Sequence, residues 1–111
     1  CPVITVGEGV VASMAAVILA CGDHRQVYRH TQVLIHQLMG GTGMAQQTDI
    51  EIVAQHTAAM RAELDELLAE HGNLSAQEFH ELTERDCWCN AKRALELGLV
   101  DEVIAPSKKA L

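Results

Sequence analysis

An α/β architecture on a largely parallel sheet is what this 111-residue sequence encodes. Short runs rich in β-branched residues, such as Val3 to Val6 and Gln32 to Ile35, alternate with segments of helical spacing. That alternation is what βαβ units with right-handed crossovers produce. Hydrophobic residues make up 49% of the chain but aromatics only 3%. The core must therefore be filled by Leu, Ile, Val, Ala and Met, which suit layered packing of helices on a sheet. The length fits one small domain, residues 1–111.

The elements follow in order. Val3 to Val6 reads as a buried strand, broken by Gly7-Glu8-Gly9. Ser13 to Ala20 is small and apolar almost throughout, which predicts a helix packed tightly on a sheet, with Gly22 as its C-terminal cap. Gln26 to Tyr28 and Gln32 to Ile35 are predicted strands, the second ending at His36. Gly40-Gly41-Thr42-Gly43 is too flexible for a core element. One long helix is predicted from about Gln47 to His71, with Ile50, Val53, Met60, Leu64, Leu67 and Leu68 spaced by threes and fours and Gly72 as its stop. It is too long for one crossover in so small a domain, so it is expected to project or to pack on another chain. Ser75, with Glu78 three residues on, forms a capping box for a helix through about Thr83. Cys87 to Cys89 is a short strand, Asn90 caps a helix through Leu97 that Gly98 ends, and Val100 to Ile104 is a last strand before a tail from Pro106. The chain opens at once on an apolar strand without an initiator Met, as expected of a domain incomplete at its N-terminus.

Composition narrows the function classes. A formal charge of −7, with only eight Lys and Arg, disfavours a nucleic-acid binder, which needs clustered cations. Those cations are scattered apart from Lys108 and Lys109. No apolar run reaches the roughly 18 residues of a membrane span, so a soluble chain with no membrane partner is expected. The four cysteines, Cys1, Cys21, Cys87 and Cys89, do not make a secreted disulfide framework, and a reducing, cytoplasmic location is the simpler expectation. Cys87 and Cys89 lack C-x-x-C spacing, so a zinc site with His80 is disfavoured. No metal and no cofactor are expected.

Three residues draw chemical interest. Ser13 stands between a glycine-containing turn and an apolar helix. Local context favours a plain N-cap there; the other use of the position is a nucleophile at a strand-to-helix turn, although the glycines of G-x-S-x-G are absent. His36 ends an apolar strand, where an open α/β sheet places its ligands; a hydrogen-bonded, partly buried histidine is the bland reading. Asp86 follows Arg85 and, taken alone, is a solvated charge. Asp49 fits the first turn of the long helix, favoured by its dipole.

Read together, the segments resemble a known family. Val10-Val11-Ala12-Ser13-Met14-Ala15-Ala16 resembles the nucleophile segment, usually A-A-S-M, of the proteolytic subunit of the Clp ATP-dependent protease (ClpP). Val33-Leu34-Ile35-His36-Gln37 is similar to its M-I-H-Q segment. Gly40-Gly41 through Thr48-Asp49-Ile50-Glu51-Ile52 resembles its glycine-rich strand and the start of its handle helix, a region of about 40–71 here. Glu84-Arg85-Asp86 resembles its R-D pair, and Gly98-Leu99-Val100-Asp101-Glu102-Val103 its G-L-[IV]-D-x-[IV] ending. Leu38 stands where the family usually has Pro, and Arg29-His30 where it has Pro-Asn.

The resemblance implies a crotonase-like spiral of βαβ units with a projecting handle helix. It implies two stacked heptameric rings, a homo-oligomer whose chamber receives unfolded protein from an AAA+ Clp unfoldase; that partner uses the ATP. Gly40, Gly41, Gly43 and Asp49 would fall in the contact between rings, and Arg85 would make ring-to-ring salt bridges. As a serine endopeptidase, the chain would use Ser13 as nucleophile, His36 as base and Asp86 to orient the imidazole, with the Met14 N–H as half of the oxyanion hole. Two other readings remain: a non-catalytic ring or scaffold subunit of the same family, and another crotonase-fold enzyme acting on acyl-CoA, for which no residues here show a likeness.

Overall fold

The computed structural model describes residues 1–105; the expected tail from Pro106, with Lys108 and Lys109, lies outside them. The order is β1 (Ile4–Gly7), β2 (Val10–Ala12), α1 (Met14–Ala20), β3 (His24–Tyr28), β4 (Gln32–Ile35), α2 (Gln47–His71), α3 (Ala76–Leu82), β5 (Cys87–Cys89), α4 (Ala91–Glu96) and β6 (Glu102–Ile104).

Instead of one sheet there are two, each of three strands, ordered β1-β3-β6 and β2-β4-β5. The first is parallel throughout. In the second, β2 and β4 run parallel while β5 is antiparallel to β4. The division starts at Gly9, whose φ of 72° turns the chain out of β1. Val10–Ala12 then pairs with β4 instead of ending in a turn. Three residues are too few to show a strand period, which is why β2 escapes a reading of the sequence.

One apolar core joins both sheets to the helices through residues such as Leu19, Val27, Val33, Leu68, Phe79 and Leu99. It is aliphatic apart from Cys89 and Phe79, both fully buried. Truncating Phe79 to alanine costs about 3–5 kcal/mol by the usual cavity arithmetic.

Helix α2 matches its expected bounds, and at about 1.5 Å per residue it is roughly 37 Å long. It gives the molecule a long axis of 60 Å against 29 and 28 Å. Only its C-terminal half packs: Leu68 is buried, while Ile50 and Met60 are exposed. Of the expected apolar stripe, Leu68 joins the core and Leu64 and Leu67 are half-buried, while the N-terminal half of the helix is mostly exposed. The Ser75 capping box forms as predicted, with Glu78 N–H donating to Ser75 Oγ (3.1 Å) and Ser75 N–H to Glu78 Oε2 (2.8 Å). Asn90 caps α4 in the same way, accepting from Arg93 N–H.

Two details differ. Gly22 is not a left-handed cap: α1 closes at Cys21, and Gly22 is not among the glycines with positive φ. Glycine is needed there for space: a Cβ would lie 2.5 Å from Thr5 Oγ1. The last strand starts at Glu102 rather than Val100, because Asp101 turns inward to the buried Arg25. Asp101 accepts Arg25 Nη2–H at 2.8 Å and Nε–H at 3.1 Å, while Arg25 Nη1–H reaches Ala20 O and His71 O at the ends of α1 and α2. A charge taken out of water needs this complete a set of acceptors. The hydrogen bond from Arg25 holds the Asp101 carboxyl below the usual carboxylate range.

Candidate active site

Ser13 sits at the joint between β2 and α1 with φ 60° and ψ −127°. It is the one non-glycine residue with positive φ among those described. The conformation is sparsely populated for an L-residue and persists only where the surroundings impose it. They do so from both sides. Its N–H donates to Leu34 O at 3.0 Å, extending the β2–β4 pairing by one residue, and its carbonyl accepts from Ala16 N–H, the first turn of α1. Fully buried Ala16 lets that turn press onto the sheet. The Ser13 side chain makes no capping hydrogen bond, so the N-cap role that local context favoured is not what the structure shows. The hydroxyl is left exposed. Met14, the first residue of α1, offers a backbone N–H without an intrahelical acceptor.

His36 leaves the C-terminal end of β4, two residues beyond the Leu34 carbonyl that holds Ser13. It is half-buried. Its Nδ1 lies 2.6 Å from Gln37 O. A carbonyl only accepts, so this contact places the proton on Nδ1 and leaves the Nε2 lone pair free. Ser13, Met14 and His36 line one cavity of about 310 Å³ with Leu38, Leu64 and Leu68. His36 also lines a neighbouring, more open cavity of about 570 Å³, as does Asp86. His36 thus lines both cavities, as do Gln37, Leu38, Met39 and Thr83. Asp86 is exposed, in the short link from α3 to β5, and its carboxylate has no hydrogen-bond partner among the described residues. The described residues show no hydrogen bond from Ser13 to His36 or from His36 to Asp86.

The residues assigned to oligomer contacts are on the surface. The Arg85 side chain is 89% exposed, and among the described residues its hydrogen bond and ion pair are with Glu84. Gly40, Gly41 and Gly43 lie in an exposed stretch without regular structure, and Gly43 has a φ of 63°. The strand implied there is not formed among the described residues. Asp49 lies in the first turn of α2, as the helix dipole favours.

A polar clamp beneath the first cavity was missed in the sequence. Arg61 Nη2–H donates to His80 O (3.0 Å) and Glu84 Oε2 (3.1 Å). Buried Asp65 meets His80 Nδ1 at 2.7 Å. Arg61 and Asp65 both line the cavity that holds Ser13. The hydrogen bond from Arg61 lowers the Glu84 carboxyl below its usual range. The signal was legible as two pairs spaced by four, Arg61 with Asp65 on α2 and His80 with Glu84 at the end of α3 and the turn after it, that match in charge. No group of three or more His, Cys, Asp or Glu side chains able to hold a metal occurs among the described residues, and none of their helices is long and apolar enough to cross a membrane.

An exposed serine on a strained strand-to-helix joint, beside a histidine at a strand end, is a layout associated with hydrolases that use an activated serine. Comparison with known proteins sharpens the class: the Clp protease family model matches residues 1–107, and the chain belongs to that family. It is similar to the "ATP-dependent Clp protease proteolytic subunit" of Lactococcus lactis subsp. lactis (strain IL1403), at 41% identity over 103 residues, covering 90% of this chain and 52% of that protein. The protein of the same description from Streptococcus sanguinis (strain SK36) is 41% identical over 106 residues, covering 93% of this chain and 54% of its own length. That from Streptococcus pneumoniae (strain Hungary19A-6) is 41% identical over 104 residues, with 91% and 53% covered. The chain spans about half the length of these relatives.

Proposed function

We propose that this chain carries the catalytic residues of a Clp-type serine endopeptidase that cuts unfolded proteins to short peptides. The observation that carries the reading is the backbone of Ser13, held at φ 60° with its hydroxyl uncapped, since a fold bears such strain where it serves a site. Ser13 Oγ attacks the scissile carbonyl, and His36 Nε2 takes its proton and returns it to the leaving amine. The Met14 N–H faces the developing oxyanion. Asp86 takes over Nδ1–H from the Gln37 carbonyl, which needs a rearrangement of the loop after β4, and then stabilises the imidazolium.

The same reading extends to the assembly. The βαβ units form part of a crotonase-like spiral, and subunits stack as two heptameric rings served by an AAA+ Clp unfoldase in the cytoplasm. The bare N-terminal half of α2, the Gly40–Gly43 segment and the unencumbered Arg85 are suited to contacts between rings. The open contacts around His36 favour one second reading, a non-catalytic ring subunit whose triad never closes.

Intact-mass analysis after treatment with a fluorophosphonate tests this, with Ser13→Ala alongside. A single adduct on the wild type alone supports an activated Ser13; no adduct on either favours the non-catalytic subunit.

A further inference from the structure

Cys87 and Cys89 take no part in the proposed chemistry, yet their sulfurs lie 3.7 Å apart. The pair is a consequence of β5: residues two apart in a strand point to the same face. The two thiols are unequal. Cys87 is half-buried and reachable, whereas Cys89 has no exposed surface. Burial, with the Cys87 sulfur beside it, pushes the Cys89 thiol up to about 12. Cys87 is placed to meet a reagent; the raised Cys89 thiol slows a second attack, and its 3.7 Å approach to the Cys87 sulfur is what favours one.

We propose that Cys87 and Cys89 form a reversible dithiol–disulfide site that reacts with small-molecule disulfides, Cys87 attacking first and Cys89 closing the bridge. The Cys87 thiolate attacks one sulfur of a disulfide such as glutathione disulfide. The S–S bond of the oxidant breaks, a mixed disulfide forms on Cys87, and one glutathione thiolate leaves. The Cys89 sulfur, its proton lost to solvent, attacks the Cys87 sulfur and expels the second glutathione. Two cysteine thiols end as one disulfide, and one glutathione disulfide ends as two thiols.

Closure has a structural cost that gives the site a use. The sulfurs must move from 3.7 Å to a bond of about 2.05 Å. Strand Cα atoms two apart lie about 6.6–6.8 Å from one another, at the long end of what a disulfide spans. Bridging therefore shortens β5. That strand pairs Cys87 with Ile35 and Cys89 with Val33, so its contraction pulls on Asp86 on one side and on the residue before His36 on the other. This consequence, a redox gate on the serine site, rests on the function proposed above.

The test is peptide mapping of the full chain after incubation with glutathione disulfide and alkylation of remaining thiols. Cleavage after Arg85 and Lys92 isolates Asp86–Lys92, which holds both cysteines and no other. The expected peptide is lighter by two hydrogens, resists alkylation, and regains both thiols with dithiothreitol; Cys1 and Cys21, both exposed, carry glutathione instead. In Cys89→Ser the adduct stays on Cys87, and in Cys87→Ser position 89 stays unreacted while the chain is folded. Two alkylated thiols in the wild type, a lasting adduct on Cys87, or labelling of Cys89 in Cys87→Ser as fast as Cys21 overturns the proposal. The gate is read separately, as at least a tenfold slower fluorophosphonate labelling of Ser13 in the oxidised form. Equal labelling of both forms removes the gate. Failure of both forms to label counts against the proposed function, while the peptide mass still decides the dithiol.

Discussion

Ser13→Gly should make the chain more stable as it removes the proposed nucleophile, and the comparison with Ser13→Ala isolates the reason. Both changes delete the hydroxyl, which makes no capping bond, so they differ only in what the backbone at φ 60°, ψ −127° costs. Alanine bears the strain of that conformation, about 1–3 kcal/mol. Glycine does not, but gives back about 0.5–1 kcal/mol through the extra freedom of its unfolded chain. The glycine variant should therefore exceed the alanine variant by about 1 kcal/mol, on the order of 4 °C in Tm for a domain of this size. Thermal and urea unfolding followed by circular dichroism measures the difference. If Ser13→Gly is no more stable than Ser13→Ala, the fold does not impose this conformation, and the argument from a strained, pre-set serine fails.

Other expectations follow from the same contacts. Asp101 has its carboxyl lowered by Arg25; its contribution to stability is thus complete above the ordinary value of 3.8 and is lost as pH falls through the depressed one. Asp101→Asn should flatten that part of the stability–pH curve, as followed by urea midpoints at a series of pH values. Ser75→Ala breaks the capping box of α3 and should cost about 1 kcal/mol, read as a lower urea midpoint with an unchanged m-value. Gly98→Ala meets both a φ of 74° and an Asn73 backbone N 2.7 Å from the new Cβ, and should cost more than the roughly 1–2 kcal/mol of a simple left-handed substitution; thermal unfolding checks it.

What the sequence displays follows the length scale of each signal. Helix α2 carries seven turns of pattern with a glycine at its end, and both its bounds are legible. The caps at Ser75 and Asn90 are legible because each is one polar side chain at a fixed offset from a helix start. Strand β2 and the division into two sheets are not, since pairing with β4 joins residues 22 apart that three residues cannot announce. The inward turn of Asp101 is hidden for the same reason, because its partner Arg25 is 76 residues away. At the site, Ser13, His36 and Asp86 were each unremarkable alone and became a candidate set through their resemblance to a family. What composition and spacing leave out is the backbone of Ser13, which depends on the β4 hydrogen bond behind it. They also leave out the Gln37 carbonyl that occupies His36 Nδ1.

The most direct test of the central claim is the rate of fluorophosphonate labelling at Ser13 in the wild type and in His36→Ala. A histidine acting as general base accounts for roughly 10²–10⁴ in rate, so the variant should label at least a hundredfold more slowly while unfolding at a similar denaturant concentration. Equal rates in the two proteins would mean that His36 does not activate Ser13, and the catalytic account would be contradicted.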